Sequence, residues 1–344
     1  MDKFVIQGGK SLEGTIEVSG AKNASLPIVV AAAILGDDVS TIRNVPRLRD
    51  LNSICELLEV LGAKTEFKDH VLTIDSNMQT NHEAPYDIVR KMRASIYVLG
   101  PLVAKFGQAR VSLPGGCAFG PRPVDLHLKG LEALGAKIEM EHGYIVAQAD
   151  QLVGTDMQLR GPYGSSVGAT GNVMMAATLA KGTTIIREAA CEPEIVDLAN
   201  FLNAMGAHIE NAGTPVITIH GVKELHSVDY SVIPDRIEAG TFMVASAITK
   251  GNLFIKNAVK EHLEAVTNKL IEAGVDVQWK EDGAQVSMPK KLRAVEVRTE
   301  TFPGFPTDMQ AQIMALMSIT NGIGFFTHPP DCATTAVARK RAAS

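Results

Sequence analysis

Apolar positions along this chain recur at helical spacing and then give way to short strand-like runs. Leu51, Ile54, Leu58 and Leu61 fall on one face of a helix over 51–61, and Gly62 stops it. Cys55 sits beside that stripe and reads as a small core side chain. The runs T-I-I-R at 184–187 and L-F-I-K at 253–256 follow glycines and predict strands. The same sequence of events repeats. Leucine-rich helices end in a Gly-Ala turn at Gly62, Gly135 and Gly206, with a looser copy at Gly274, at spacings of 73, 71 and 68 residues. A second marker, an apolar helix closing on glycine before a β-branched strand, occurs at Gly36, Gly107, Gly182, Gly251 and Gly322, at spacings of 71, 75, 69 and 71. Two independent markers on one period predict a supersecondary unit of two helices and several short strands, repeated along the chain. Helices this apolar need partners to cover them, so the fold class is mixed α/β.

Five copies of the second marker stand against four of the first. The fifth unit starts near Val295 and runs through Gly322. Residues 328–344, H-P-P-D-C-A-T-T-A-V-A-R-K-R-A-A-S, show no helical or strand period and read as a tail unrelated to the repeat. Methionines such as Met174, Met175, Met314 and Met317 lie on the apolar helices and read as core.

Composition narrows the function classes. A net charge of −5 with scattered lysine and arginine, and only 5% aromatic residues, argues against a nucleic-acid surface. The stretch from Met1 to Lys10 carries no export signal pattern, and no apolar run approaches a membrane span, Ile28–Leu35 being broken by Gly36 and Asp37. The four cysteines, at 55, 117, 191 and 332, are too dispersed for a zinc or disulfide framework, which fits a reducing cytoplasm. The sequence shows no metal cluster.

One segment combines reactive chemistry with a helix start. In L-P-G-G-C-A-F-G-P-R-P-V-D-L-H-L (113–128), Cys117 lies among glycines and prolines, with Arg122, Asp125 and an apolar helix following. A thiol near a guanidinium and a helix N-terminus has a lowered pKa, and the same groups suit a phosphate or carboxylate. By spacing alone, a plain loop with a lone cysteine remains the alternative. Asp308 has an alternative as well: Thr307 and Gln310 form a T-x-x-Q capping box, in which an acid in the first turn only complements the helix dipole.

The motifs G-A-K-N-A (20–24), M-R-A-S (92–95), P-G-G-C-A-F-G-P-R-P-V-D-L-H-L (114–128), S-V-G-A-T (166–170), E-P-E-I-V-D (192–197), P-D-R-I-E-A-G-T (234–241) and F-P-T-D-M-Q-A-Q (305–312) occur in this order. With them the chain resembles the UDP-N-acetylglucosamine 1-carboxyvinyltransferase family, the enolpyruvyl transferases of peptidoglycan synthesis, from Met1 to about Thr327. The shikimate-pathway cousins lack this cysteine loop. The resemblance implies two similar domains, each an inside-out α/β barrel of three modules with buried helices. Domain one would span 22–229, and domain two would combine 1–21 with 230–327. After Thr327 the family pattern is lost, so the sixth module would be absent and the chain could be an inactive product that at most binds the nucleotide sugar weakly.

The resemblance also implies roles. Enolpyruvate would pass from phosphoenolpyruvate to the 3′-hydroxyl of UDP-N-acetylglucosamine, releasing phosphate, with no cofactor and no metal. Cys117 would protonate the methylene carbon, form a thioether-type adduct with phosphoenolpyruvate, and be the fosfomycin target. Asp308 would accept the hydroxyl proton. Lys22 and Arg122 would hold the phosphate and carboxylate, Asn23 would bond substrate, and Arg93 would contact the nucleotide sugar. Pro123, Val124, Asp125 and Leu126, with Ser166 and Val167, would line the uridine site. His127 would tune the proton chemistry or serve only as structure.

Overall fold

A computed structural model describes residues 3, 5–77, 81–90, 92–113, 124–162, 164–288, 291–327 and 336–339. The chain divides into two compact units, Gly20–Ile233 and a second that joins Met1–Ser19 to Pro234–Ser344. Each has its own hydrophobic core.

Gly20–Ile233 is three copies of one module. In the first, helix Lys22–Leu35 leads to strand Val39–Arg43, helix Arg49–Val60 and the hairpin Lys64–Lys68/Val71–Asp75. The second runs through the 3₁₀ turn Arg93–Val98 into helix Leu99–Phe106, then Gln108–Ser112, Asp125–Ala133 and the hairpin Lys137–Glu141/Tyr144–Gln148. The third uses Val167–Ala177, Thr183–Arg187, Pro193–Ala204 and the hairpin His208–Glu210/Val216–His220. The main sheets of the three modules share one four-strand order. A strand from outside the module pairs in parallel with the module's first strand, which pairs antiparallel with the hairpin's second strand. The strand entering the first sheet is Asp229–Ser231, from the far end of the unit. It closes the three modules into a ring.

The helices are of two kinds because their sequences are. In Lys22–Leu35 every residue from Ala24 to Leu35 is buried, and in Val167–Ala177 every residue from Ala169 onward. A helix apolar all round belongs in the middle of a protein. Arg49–Val60 instead buries only Leu51, Ile54, Leu57 and Leu58, a stripe against the core. The buried central helices are those of the inside-out α/β arrangement that the family resemblance implies.

The Gly-Ala turns share one geometry. Gly62, Gly135, Gly206 and Gly274 have φ of 108°, 95°, 105° and 97°, where a Cβ is strained. At the first, the Ala63 N–H reaches back to the Leu58 carbonyl at 3.0 Å, which ends the helix. The second marker has a different cause at Gly251. There a Cβ would lie 2.2 Å from the Leu12 carbonyl oxygen, so the glycine provides room for the neighbouring chain.

The other unit holds a fourth module, Arg236–Ile248, Asn252–Lys256, Glu264–Glu272 and Asp276–Lys280/Gly283–Ser287, with the N-terminal strand Glu13–Glu17 entering its sheet. A fifth has the turn Thr307–Met309, helix Gln310–Met317 and strand Ile323–Thr327, paired in parallel with Glu296–Arg298. One expectation is corrected here. Ala336–Arg339 lies in the stretch that shows no strand period, yet it is a strand, antiparallel to Ile323–Phe326. The open edge of that strand supplies pairing that the short run's own pattern does not announce.

Candidate functional site

In Gly20–Ile233 the candidate residues gather at the heads of the three central helices. Lys22 is the first residue of Lys22–Leu35, Arg93 opens the turn leading into Leu99–Phe106, and Val167 opens Val167–Ala177 behind its cap Ser166. The helices run the same way. Lys105, near the end of the second, donates to the carbonyl of Gly36, just past the end of the first. Asn172, midway along the third, bonds Ile96 and Gly100 at the start of the second. Three positive helix ends therefore face one side of the unit, a setting that favours anions.

Details of the heads sharpen this. The helix beginning at Lys22 has no acid in its first turn and no side-chain cap. Pro27 lies inside it and has no N–H to give to the carbonyl of Asn23. Lys22 Nζ is 3.4 Å from Asp50 with both side chains about two-fifths exposed, an ion pair weak enough to exchange for a bound anion. Ser166 Oγ accepts from the Ala169 N–H at 3.2 Å and caps its helix.

A second group of candidates packs onto the third helix head. Helix Asp125–Ala133 starts after Val124, and a Cβ at Gly161 would touch Leu126 at 3.2 Å. A Cβ at Gly168 would stand 3.1 Å from the His127 ring. Val124–His127 and Ser166–Gly168 are thus neighbours, with Asp125 exposed and His127 buried. His127 is held from behind. Asn172 Oδ1 accepts from the Gly100 N–H at 2.8 Å, and its Nδ2 lies 2.9 Å from the Ile96 carbonyl and 3.0 Å from His127 Nδ1. With Oδ1 fixed as acceptor, Nδ2 donates to both, so His127 Nδ1 accepts and the ring proton resides on Nε2.

Cys117, Arg122 and Pro123 lie outside the described residues, as does the side chain of Arg93. The ends of the cysteine segment are placed: strand Gln108–Ser112 leads into it, and helix Asp125–Ala133, packed beside Ser166, leads out.

Asp308 lies in the other unit, in the turn Thr307–Met309 that opens the fifth module's helix. The capping box does not form. The Gln310 N–H, which the Thr307 hydroxyl would need, is taken by the Thr307 carbonyl in closing the 3₁₀ turn. Asp308 is therefore not one part of a reciprocal cap. The sequence reading missed that Arg236 holds the corresponding first position of the fourth module's helix, behind the Asp235 cap and 5.6 Å from the Phe302 ring centroid. The repeat itself was the signal that could have found it.

The most perturbed acid near these helices is Asp197, from E-P-E-I-V-D. Burial pushes its carboxyl up to about 6, against hydrogen bonds from Tyr230 and the Ile233 N–H. Burial likewise pushes the Cys55 thiol up to about 11, and raises Cys191.

The EPSP synthase (3-phosphoshikimate 1-carboxyvinyltransferase) family matches residues 6–328. The UDP-N-acetylglucosamine 1-carboxyvinyltransferase of Desulfatibacillum aliphaticivorans is 53% identical over 323 residues, covering 94% of this chain and 77% of that protein. UDP-N-acetylglucosamine 1-carboxyvinyltransferase 2 of Carboxydothermus hydrogenoformans is 54% identical over 329 residues, covering 95% and 78%. The chain belongs to the EPSP synthase family, on the branch of the UDP-N-acetylglucosamine 1-carboxyvinyltransferases. Among solved structures it is similar to the enolpyruvyl transferase NikO from Streptomyces tendae, with a TM-score of 0.82 at 25% identity over 94% of this chain and 76% of that one. EPSP synthase from Acinetobacter baumannii, with a TM-score of 0.71 at 18% identity over 93% and 74%, shares the fold. No helix among the described residues is long and apolar enough to cross a membrane.

Proposed function

We propose that this chain transfers the enolpyruvyl group of phosphoenolpyruvate to the 3′-hydroxyl of UDP-N-acetylglucosamine, releasing phosphate, in the cytoplasm. The observation that carries this reading is the set of helix heads bearing Lys22, Arg93 and Ser166 in a chain 53% identical to relatives of that name. Both substrates are multiply charged anions, and positive helix ends beside lysine and arginine suit them. Lys22 and Arg122 hold the phosphate and carboxylate of phosphoenolpyruvate, Asn23 bonds substrate and the reacting centre, and Arg93 takes the nucleotide sugar. Pro123, Val124, Asp125 and Leu126, with Ser166 and Val167, form the uridine site. Asp308 accepts the 3′-hydroxyl proton as the oxygen bonds to the central carbon of phosphoenolpyruvate, and Cys117 delivers a proton to its methylene carbon. The methyl group so formed then loses a proton, the carbon–oxygen bond to phosphate breaks, and the double bond returns.

The test is phosphate release on mixing phosphoenolpyruvate with UDP-N-acetylglucosamine. Release should require both substrates and should fall at least 100-fold in Cys117→Ala and in Asp308→Ala, about the contribution of a positioned acid or base. Release with shikimate 3-phosphate in place of the nucleotide sugar, or none with either acceptor, would overturn the proposal.

A further inference from the structure

The hairpin His208–Glu210/Val216–His220 forms one side of the third module's sheet, and the function above makes no use of its outer face. Alternation along the strands sends Ile209, Ile217 and Ile219 into the core and turns His208, Glu210 and His220 outward. The register sets His208 directly opposite His220, with Glu210 two residues along on the same face. The two imidazole rings are 4.6 Å apart between centroids, and Glu210 Oε1 is 3.0 Å from His208 Nε2. One ligand atom from each of the three residues lies within 4.8 Å of the others.

These distances approach those of a shared ion. Two ligands about 2.1 Å from a tetrahedral zinc stand about 3.4 Å apart. Side-chain rotation alone covers the difference, because the sheet already fixes the three Cα positions. The His220 ring is also held from its far side. Its Nδ1 lies 3.1 Å from the hydroxyl of Thr183, its partner residue on the next strand. One ring nitrogen is thereby oriented by a neighbour while the other stays available, the arrangement that metal-binding histidines use.

We propose that His208, Glu210 and His220 form a surface site for a borderline divalent transition-metal ion of the zinc class, with water in its remaining coordination positions. Two imidazoles and one carboxylate match zinc, cobalt or copper, whereas magnesium and calcium require oxygen ligands. The ion ties the edge strand His208–Glu210 to its neighbour, so it stabilises the folded chain through binding.

Cobalt(II) is the probe, because its visible absorption reports ligand type. Titrating the full chain with Co²⁺ in a non-chelating buffer should give one equivalent of nitrogen/oxygen-ligated metal, displaced by Zn²⁺ and not by millimolar Mg²⁺. His208→Ala and His220→Ala should each weaken binding about tenfold or more. Glu210→Gln, which keeps the side chain's size, guards against misfolding and should weaken binding as well. His226→Ala, removing a surface histidine paired with Asp37, should change nothing. A thiolate charge-transfer band, displacement by Mg²⁺, or binding untouched by both alanine variants would overturn the site.

Discussion

The hydroxyl of Tyr230 donates to Asp197 Oδ1 at 2.6 Å, joining the strand that closes the three-module ring to the third module's outer helix. Asp197 Oδ2 accepts from the Ile233 N–H at 3.2 Å, so one buried carboxyl fastens the last residues of the unit.

That carboxyl gives the unit a pH dependence. Its pKa is raised to about 6 in the folded chain, so between about pH 4 and pH 6 the folded state keeps a proton that the unfolded state has lost. Its contribution to stability is full below about pH 4 and is lost as pH rises through 6. The loss is roughly 3 kcal/mol for two pKa units. Urea unfolding at pH 4.5 and pH 7.5 should show this component in the unaltered chain and not in Asp197→Asn. Equal pH slopes for the two would count against it.

Tyr230→Phe removes the donor to Asp197 and keeps the ring packed edge-on against Phe201, with centroids 5.3 Å apart. It should cost about 1–2 kcal/mol, the loss of a partly buried hydrogen bond to a charged group. Arg43 and Asp229 also join the first sheet to the closing strand, through two hydrogen bonds of 2.9 and 2.6 Å, but both side chains are more than half exposed. Arg43→Ala should leave the urea midpoint almost unmoved. If Arg43→Ala destabilises more than Tyr230→Phe, this ordering is wrong.

Asn172→Ala should be among the costlier changes in the unit. It strands the buried Gly100 N–H and removes the Nδ2 donor from both His127 Nδ1 and the Ile96 carbonyl, which keeps the Leu99 N–H, and should cost about 3 kcal/mol. Denaturant unfolding measures it, and a loss below 1 kcal/mol would refute the hub.

Thiol labelling should follow the same physics. With burial pushing its pKa to about 11, Cys55 should react slowly with iodoacetamide at pH 7.5, and Cys191 is raised too. Cys117, with glycines, Arg122 and a helix start beside it in sequence, should be labelled first. Peptide mapping that found Cys55 ahead would contradict both assignments.

Residues 20–233 expressed alone should unfold in one cooperative transition, and residues 20–226, without Asp229–Ser231, should be far less stable. The difference isolates ring closure, because the shorter chain keeps all three modules. Equal midpoints would show that the closing strand is dispensable.

The repeat was legible because its markers are local. A helix stripe such as Leu51, Ile54 and Leu58, and a Gly-Ala turn needing positive φ, are each written within a dozen residues. The helix heads at Lys22 and Val167 were legible as motifs for a related reason, since each starts a buried apolar helix. What escaped depends on pairing between distant segments. Nothing near Asp229 or Glu13 says which sheet will receive it. Thr307 and Gln310 have capping-box spacing, but the backbone claims the amide first. His208 and His220 are twelve residues apart and read as unrelated until the hairpin register sets them face to face.

The entering strands also fix an order of assembly. Glu13–Glu17 leaves the ribosome early, yet its partner Asn252–Lys256 is made some 235 residues later. At about 5–20 residues per second that interval is about 10–50 s. The first strand waits through it with its hydrogen-bonding edges open, and Asp229–Ser231, on which the Gly20–Ile233 ring closes, is made about 1–4 s before Asn252–Lys256. Folding is therefore nested, the inner ring before the outer unit. A delay in synthesis between residues 231 and 256 would lengthen the exposure of that strand without touching the ring already formed.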